Sequence, residues 1–344
     1  MKILEVSRYK NNFANHQLPF VTEQGTAIAK VLRDIQNDGM SRGKSLNEPR
    51  ALNDEPMVDY FLVKGNYIKA VGALKKKIRD FQPDIVHAHF GLSAITAELQ
   101  SLVPVVTTFH NGETLNWHVN LLSSLFSLRA KHVIYVAQHI RDLSYFKAKN
   151  YSIIPCGVSM DDCFLMDKAE ARKQLGWSND KKYILFGGAF ENKRKNYALL
   201  RDAIAKLDED IEIVEMKGLS RADCVLRMNA VDLFALPSHS EGSPQALKEA
   251  MAVNCPCLAT DITDVRYLFG DEPGHWILRN PRKTHERWDG DAKSLDEMVE
   301  LLKEALAFEG RTKGRERILK LGLSNEQVAK RIIEIYKSIT NNQQ

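Results

Sequence analysis

Residues 236–251 read LPSHSEGSPQALKEAM, and this stretch indicates the fold class of the 344-residue chain. It leaves an apolar strand, turns through small polar residues and enters a helix, which Ser243 is expected to cap and Pro244 to begin. The backbone N–H groups at such a helix start, together with the positive end of the helix dipole, attract anions. Strand–turn–helix units of this kind are typical of α/β proteins with a parallel sheet.

The alternation of apolar strands and amphipathic helices continues in both directions along the chain and restarts once. Continuously apolar strands indicate a parallel sheet covered on both faces, and two successive runs indicate two doubly wound α/β domains. The join is predicted between Val158 and Ala171, where acidic residues interrupt the apolar pattern. Predicted strands cover residues 2–6, 84–89, 103–109, 132–136, 153–155, 183–188, 211–215, 232–236 and 256–260, and predicted helices cover 20–35, 68–81, 196–207, 220–230, 244–253, 295–308 and 325–339.

The composition excludes several classes of protein. Hydrophobic residues make up 44% of the chain and charged residues 27%, which is enough apolar material for two cores and argues against disorder. No apolar stretch approaches the roughly 18 residues of a membrane span, and the N-terminus lacks a secretory signal, so a cytoplasmic protein is expected. The five cysteines have no zinc-ligand spacing, which predicts buried thiols and no disulfide framework.

The net charge of +4 comes entirely from the first half of the chain. Residues 1–165 hold 19 Lys and Arg against 15 Asp and Glu, whereas the remaining residues hold 29 of each. This excess is too small, and the aromatic content of 8% too low, to indicate a nucleic-acid-binding protein. Two interpretations stay open: a cationic face toward an anionic partner such as a phospholipid surface, or helix faces exposed to water.

Two glutamates near the predicted helix start are the first candidates for a binding site. Glu241 precedes the cap, while Glu249 lies about a turn and a half inside the helix. Carboxylates at these positions can accept hydrogen bonds from two hydroxyl-bearing parts of one ligand, while the helix start binds the phosphate of that ligand. The alternative is a capped surface helix in which Glu249 pairs with a neighbouring Lys.

A second candidate segment, residues 187–197, reads GGAFENKRKNY. Its glycine-bearing strand end and its three consecutive cations suit a diphosphate, because Lys and Arg donate charge-assisted hydrogen bonds. The segment matches neither the dinucleotide-binding fingerprint nor the P-loop, which argues against nicotinamide dehydrogenases and P-loop kinases. Taken alone, the three cations are also compatible with a solvated turn.

Histidines at the ends of two first-half strands are further candidates. His110 follows an apolar strand and is the strongest of them. His87 and His89 are expected to leave their strand on opposite sides, which would prevent the two imidazoles from sharing a metal ion. No metal site is therefore predicted, and a structural role stays open for each histidine.

Together these segments resemble the retaining glycosyltransferases of family 4, the group 1 glycosyltransferases with the GT-B architecture. Glu241 and Glu249, within EGSPQALKEAMA, match the family signature of two glutamates separated by seven residues. The stretches PDIVHAHF, VPVVTTFHNGE, IIPCGV and FGGAF followed by KRKNY extend the resemblance over nearly the whole chain. It implies two Rossmann-like domains facing a central cleft, an acceptor-side domain over residues 1–163 and a nucleotide-sugar domain over 164–323. A C-terminal helix, 324–344, would pack back on the first domain.

The resemblance implies a role for each matching residue. Among catalytic residues, Glu241 would contact the transferred sugar, His110 would lie near the reacting bond and Lys195 would stabilise the leaving diphosphate. Glu249 would bind the nucleotide ribose. Further donor-binding residues would be Gly188, Lys193, Arg194, Gly242, Ser243 and Pro244. Gly188 and Ala189 stand where the family often has Arg, which leaves the second diphosphate cation open between Lys193 and Arg194.

The implied function is metal-independent transfer of a hexosyl or related group, with retention, in bacterial surface polysaccharide biosynthesis. The donor would be UDP- or GDP-linked, the acceptor a hydroxyl of a glycan or lipid-linked glycan, and no other cofactor is expected. The alternative is a catalytically inactive GT-B partner subunit or a nucleotide-sugar-binding protein. The chain departs from the usual family pattern at Glu113, where Asp is usual, and at Cys156, where Asn is usual.

Peripheral contact with the anionic inner face of a membrane is a further expectation. The cations at residues 75–79 belong to a predicted helix that also carries apolar residues. Residues 116–130 mix Trp and Leu with few charges, which suits docking at an interface. The alternative is that residues 116–130 pack against their own sheet while the lysines face water.

Overall fold

A computed structural model describes residues 1–8, 18–41, 57–114, 116–279 and 292–341 of the chain. It contains two compact units. The first comprises Met1–Gly157 together with Asn325–Gln344, and the second comprises Val158–Ser324. Each unit is an α/β structure built on a parallel sheet, which confirms the predicted fold class. No helix within the described ranges is both long and apolar enough to span a membrane.

The first unit contains a six-stranded sheet in the order β2-β1-β3-β4-β5-β6, and every neighbouring pair of strands is parallel. Its inner strands β3 and β4 are buried along their whole length, including the two histidines of β3 and the two threonines of β4. The strands are β1 (Ile3–Arg8), β2 (Val58–Val63), β3 (Ile85–His89), β4 (Val105–Phe109), β5 (His132–Tyr135) and β6 (Tyr151–Ile153), and the helices are α1 (Pro19–Ser41), α2 (Ala70–Phe81), α3 (Gly91–Glu98), α4 (Trp117–Ser127), α5 (Gln138–Leu143) and α13 (Asn325–Asn341).

The last helix, α13, packs against α1 and completes the first unit. Its buried residues recur at helical spacing and present one apolar stripe, as expected for a helix that covers a core. The stripe includes Tyr336, which is fully buried and among the largest buried side chains of the described chain. The buried residues of α13 are Val328, Ala329, Ile332, Ile333 and Tyr336.

The second unit contains a five-stranded parallel sheet in the order β11-β10-β9-β7-β8. Its core lies between this sheet and the helices, and joins residues of β7, β9 and β10 to α7 and α11. The strands are β7 (Lys182–Phe186), β8 (Ile211–Glu215), β9 (Leu233–Leu236), β10 (Cys257–Thr260) and β11 (His275–Leu278), and the helices are α6 (Lys168–Leu175), α7 (Tyr197–Ile204), α8 (Arg221–Ala230), α9 (Gln245–Ala252), α10 (Val265–Phe269), α11 (Ala292–Ala307) and α12 (Gly314–Lys320).

The structure differs from the predicted elements at edge strands and at helices, since α3, α4, α5, α6, α10 and α12 were not predicted. The strand predicted at residues 153–155 lies two residues earlier in the structure, where β6 (Tyr151–Ile153) pairs with β5. It ends before Pro155, which has no N–H to donate to a neighbouring strand. Neither β2 nor β11 was predicted. Both lie at the edge of a sheet and are only half-buried over most of their length, although each contains a short apolar run, YFLV at residues 60–63 and WIL at residues 276–278.

Helix α4 buries its polar residues and exposes its apolar ones. The buried side packs against α3, where a Cβ added to Gly91 would lie 2.1 Å from the Ser123 Cβ, so only small side chains fit between the two helices. The segment thus packs on α3 through small polar residues and leaves its leucines partly exposed. The buried residues of α4 are Asn120, Ser123, Ser124 and Ser127, and the residues 36–58% exposed on it or next to it are Trp117, Leu121, Leu122, Leu125 and Leu128.

Glu98, at the end of α3, predicts how the stability of the protein depends on pH. Burial raises the pKa of Glu98 from 4.5 to about 8, against the opposing charges of Arg129 and Lys131. The folded state therefore holds this proton over a pH range in which the unfolded chain has lost it, and the free energy of unfolding falls as pH rises from 4.5 to about 8. Glu98→Gln, which is neutral at every pH, should melt above the wild type at pH 8, with a smaller difference at pH 5.

The exposed glutamate Glu300 of α11 provides the matched control, since it pairs only with Lys303 at the surface. Glu300→Gln should leave the pH dependence of the melting temperature unchanged. If Glu98→Gln and the wild type gave parallel curves between pH 5 and pH 8, a raised pKa of Glu98 would be contradicted.

Candidate functional site

The candidate site of the second unit lies at the carboxyl ends of two neighbouring strands, β7 and β9. Gly187 and Gly188 follow β7, and the segment from Pro237 to Pro244 follows β9 and leads into α9. Parallel neighbours end at the same edge of their sheet, so the loops after them converge. The structure thereby brings together the two segments that the sequence indicated.

Glu241 is the centre of this site. Its carboxylate is 3.1 Å from Arg194 Nη1 and 2.8 Å from Lys195 Nζ. Burial by itself would raise the pKa of Glu241, but the two adjacent cations outweigh that effect and hold its pKa below the ordinary value. Glu241 is therefore a buried, ionised carboxylate with a cation on each oxygen.

The turn that carries these cations is fixed by short-range hydrogen bonds. Lys193–Lys195 form a single 3-10 turn, and the Asn192 side chain accepts the Arg194 N–H at its start. The Arg194 carbonyl accepts the His239 N–H at 2.9 Å, which ties this turn to the loop after β9. Arg194 and Lys195 both reach Glu241, whereas Lys193 is exposed.

Gly188 is required by close packing against Lys195. A Cβ at this position would lie 2.8 Å from Lys195 Cγ, which is closer than carbon atoms approach one another. The aliphatic part of the Lys195 side chain thus lies over the end of β7, and its ammonium group reaches Glu241. A larger residue at 188 would displace this lysine.

Glu249, on α9, has a partner that the sequence reasoning missed. Its carboxylate lies 3.0 Å from Nη2 of Arg221, the first residue of α8. The predicted alternative, an ion pair with a neighbouring Lys on a surface helix, is wrong, because Glu249 is buried. Burial raises the pKa of Glu249, although the charges of Arg221 and Lys248 oppose the increase.

The start of α9 differs by one residue from the prediction. Pro244 is the N-cap and Gln245 the first helical residue, and no side chain caps the helix. The Ser243 hydroxyl, expected as the cap, instead donates to Asp264 Oδ2 at 2.6 Å. Burial raises the pKa of this Asp264 carboxyl, which the Lys248 charge opposes. Gly242 and Ser243 stand directly before this cap.

His110 lies in the first unit, directly after β4. Its imidazole contacts two neighbouring phenyl rings, with centroids 4.8 Å from Phe20 and 4.7 Å from Phe90. The buried Glu113 carboxylate accepts the backbone N–H groups of His110, Asn111 and Gly91. The backbone is strained on both sides of this site, because Phe90 has φ 69° and Asn111 has φ 118°. Such strain persists only where the surrounding structure imposes it.

The prediction that His87 and His89 leave β3 on opposite sides is wrong. Residues two apart in a strand share a face, and the two rings are stacked with centroids 4.5 Å apart. Together with Glu5 of β1, they place three possible metal-ligand atoms within 4.8 Å of one another.

The nitrogens of these two rings are already occupied by hydrogen bonds. His87 contacts the Tyr336 hydroxyl at 2.6 Å and the Thr108 hydroxyl at 2.7 Å, and His89 contacts Glu5 and His110. We interpret the cluster as a hydrogen-bond network, because the ring nitrogens that could bind a metal ion already have hydrogen-bond partners.

Two family models match the chain, one over each half. Residues 41–162 match the model described as Glycosyltransferase Family 4, and residues 182–288 match Glycosyl transferases group 1. The chain belongs to the group 1, family 4 glycosyltransferases. The second match contains Glu241, Glu249 and Lys195, so the site described above lies within the family region.

One curated relative of this glycosyltransferase is named for teichuronic acid biosynthesis, TuaC of Bacillus subtilis (strain 168). The two are 28% identical over 229 residues, which is 56% of this chain and 57% of the relative. The chain thus aligns with less than two thirds of that relative's length.

Solved structures share the fold of this glycosyltransferase at low sequence identity. A sucrose-phosphate synthase from Thermosynechococcus elongatus has a TM-score of 0.76 at 15% identity, with 99% of this chain and 100% of that chain covered. Anabaena HepE, solved in complex with UDP and glucose, has a TM-score of 0.70 at 15% identity, with 98% and 100% covered. These likenesses support the GT-B architecture that the sequence resemblance implied.

The residues that sequence reasoning missed in this glycosyltransferase are partners, not members, of its motifs. Arg221 and Asp264 contact motif residues from more than 20 positions away in the chain. Glu5 contacts His89 from the neighbouring strand β1. Of these three residues, only Arg221 could have been located from the sequence. Ser220 and Asp223 form a capping box, which places Arg221 in the first turn of α8.

The Arg221–Glu249 ion pair predicts a specific loss of stability. Arg221→Ala leaves the buried Glu249 carboxylate without its nearest cation and should lower the free energy of unfolding by about 1–3 kcal/mol. Arg227→Ala, on the same helix, removes a more exposed pair with Asp223 and should cost less than about 1 kcal/mol. Urea denaturation at pH 7 measures both variants. Equal losses would show that Glu249 does not depend on Arg221.

Proposed function

We propose that the chain transfers a hexosyl or related sugar from a UDP- or GDP-linked donor to a hydroxyl of a glycan or lipid-linked glycan, with retention of anomeric configuration. The observation that carries this proposal is the pairing of Glu241 with Arg194 and Lys195 at the carboxyl ends of β7 and β9. A carboxylate for sugar hydroxyls and two cations for a diphosphate lie within one ion-paired group. These are the chemical requirements of a nucleotide-sugar donor.

The two cations would act on the leaving group. As the bond between the sugar and the diphosphate breaks, negative charge grows on the β-phosphate, and positively charged donors already in place stabilise that charge. In the absence of a donor, Glu241 holds Arg194 and Lys195 in position. When the diphosphate arrives, it becomes a second anion for the same cations, and Glu241 gains freedom to accept sugar hydroxyls. The proposed reaction uses these side-chain cations and assigns no metal ion.

Arg194 is the second diphosphate cation in this proposal. It contacts Glu241 together with Lys195, although it is as exposed as Lys193 on the same turn. Glu249 is assigned to the nucleotide ribose. Its contact with Arg221 favours the ionised form, which accepts hydrogen bonds from two hydroxyls. Gly188, Gly242, Ser243 and Pro244 are assigned to the backbone that surrounds the donor.

The similar proteins support the donor class and the biological setting. HepE has been solved with UDP and with UDP-glucose, and the TuaC relative, from a bacterium, is named for teichuronic acid biosynthesis. We therefore propose a role in bacterial surface polysaccharide biosynthesis. The alternative of an inactive partner subunit or nucleotide-sugar-binding protein is less well supported, because Glu241, Glu249 and Lys195 are all present.

Release of nucleoside diphosphate from a panel of nucleotide sugars tests the proposal. The protein is incubated with UDP- and GDP-linked sugars in EDTA, with and without glycan and lipid-linked acceptors. Proton NMR of the product then shows whether the anomeric configuration of the donor is kept. Acceptor-dependent release with retention supports the proposal. Binding of the donors without release under every condition would support the alternative.

Lys195→Ala should lower turnover roughly 100- to 1,000-fold, the scale of losing one preorganised charge donor at a developing anion. Arg194→Ala should cost more than Lys193→Ala, because only Arg194 reaches Glu241. The matched control is Lys206→Ala, which removes a surface lysine paired with Asp296 in the same unit. Steady-state kinetics with the best donor of the panel measures all four variants. Wild-type turnover for Lys195→Ala would remove this residue from the site.

We also propose that the first unit docks on an anionic membrane through a face formed by α4 and the residues after α5. The exposed leucines of α4 are joined to this second segment through Asn120, whose amide donates to the Leu143 carbonyl at 2.8 Å. The additional large exposed residues of the face are Leu143, Tyr145 and Phe146. An extended apolar face that a folded unit leaves in contact with water indicates an interaction site.

The positive charge around this face favours an anionic bilayer as its binding partner. Residues 116–150 contain five Lys and Arg against a single Asp, and four of these cations are exposed, Arg129, Lys131, Lys147 and Lys149. Lysines 76 and 77 of α2 are instead paired with Asp80 and Asp59. The docking face therefore has a cationic excess of its own, next to its apolar residues.

Vesicle flotation tests this contact. Each surface cation contributes about 1 kcal/mol to binding of an anionic leaflet, so the Lys147→Glu, Lys149→Glu double variant should lose binding by an order of magnitude or more. Leu122→Ser with Leu125→Ser should also release the protein. Leu319→Ser, at an exposed leucine of the second unit, is the control that should still float. Equal binding to neutral and anionic vesicles, or a leucine-dependent dimer in light scattering without any flotation, would contradict the membrane assignment.

A further inference from the structure

A chain of buried hydrogen bonds leads from Glu5 to His110. The Glu5 carboxyl oxygen Oε2 lies 2.7 Å from His89 Nε2, and His89 Nδ1 lies 3.1 Å from His110 Nε2. On the far side of the His110 ring, Nδ1 lies 3.7 Å from the Cys156 sulfur. Glu5 and His89 are fully buried, so neither can exchange this partner for water.

The order of these contacts restricts where each imidazole carries its hydrogen. A carboxylate only accepts hydrogen bonds, so His89 Nε2 must donate to Glu5. In a neutral ring, His89 Nδ1 then has a lone pair and accepts from His110 Nε2–H. By the same reasoning, His110 Nδ1 is the nitrogen without a hydrogen. Its partner, the Cys156 thiol, is a weak donor at a long distance.

We propose that Glu5 and His89 are positioning residues that hold His110 in the Nε2–H tautomer, so that His110 Nδ1 is a hydrogen-bond acceptor for a substrate hydroxyl. The inference rests on the proposed function, in which His110 lies near the transferred sugar. A sugar hydroxyl is a stronger donor than a thiol and would replace the Cys156 contact on Nδ1. The two phenyl rings and the backbone held by Glu113 keep the imidazole in place for this exchange.

His87 offers a matched comparison for Glu5. It is equally buried on the same strand as His89, but its ring nitrogens hydrogen-bond to Tyr336 and Thr108, and its Nδ1 lies 3.7 Å from Glu5 Oε2, beyond hydrogen-bond distance. Glu5→Gln replaces the carboxylate with a group that can either donate to or accept from His89, which removes the directional restriction. His87→Gln removes a buried imidazole of the same cluster and leaves the chain from Glu5 to His110 intact.

Nitrogen-15 NMR of histidine-labelled protein in EDTA tests the inference without relying on activity. In the wild type, His110 Nδ1 should have the chemical shift of a nitrogen without a hydrogen, and Nε2 that of one with a hydrogen. Glu5→Gln should convert His110 to a mixture of tautomers, while His87→Gln should not. An Nδ1–H tautomer in the wild type, or the same change in both variants, would overturn the assignment.

Kinetics then separate a positioning role from a structural one. Glu5→Gln should lower kcat at least fivefold with KM for the donor changed less than twofold, whereas His87→Gln should leave kcat within twofold of the wild type. An equal loss of kcat in both variants would overturn the positioning role. If the wild type releases no nucleoside diphosphate from any donor, the proposed function fails, and the NMR result still decides the tautomer of His110.

Discussion

The ion-paired group of Glu241, Lys195 and Arg194 is the interaction on which the second unit's site depends. A buried carboxylate is unfavourable unless cations compensate it, and here two of them do so from the turn after β7. The group therefore joins the loops after β7 and β9, and it requires Gly188 because Lys195 packs over that position. The geometry is held by charges that a diphosphate ligand would also engage, so the same atoms serve stability and binding.

Buried polar groups organise the first unit in a similar way. Glu113 holds the backbone on both sides of the His110 ring, and Glu5 reaches that ring through His89. Several backbone N–H groups satisfy Glu113, and an imidazole nitrogen of His89 satisfies Oε2 of Glu5, whereas the buried Glu5 Oε1 has no hydrogen-bond partner within the described residues. By contrast, α4 presents small polar residues to α3 and leucines to its surroundings, which is the opposite of a helix that only covers a core.

Much of the fold and the motif residues could be predicted from the sequence, because both depend on local patterns. The continuous apolar strands identified two parallel sheets, and residues 187–197 and 236–251 identified the loops that meet. Partners distant in the chain could not be found this way, since Arg221 reaches Glu249 only through the packing of α8 beside α9. The half-buried edge strands β2 and β11 have only short apolar runs, and the Ser243 hydroxyl bonds to Asp264, 21 positions later in the chain, and does not cap α9.

The most direct measurement of the central claim is a crystal structure of the protein with UDP or GDP bound in the presence of EDTA. The account predicts that the β-phosphate contacts Lys195 Nζ and the Arg194 guanidinium, and that Glu249 accepts hydrogen bonds from the ribose. Glu241 would then have released at least one of its cations. A nucleotide bound away from the carboxyl ends of β7 and β9, or one with its diphosphate out of reach of both cations, would contradict the account.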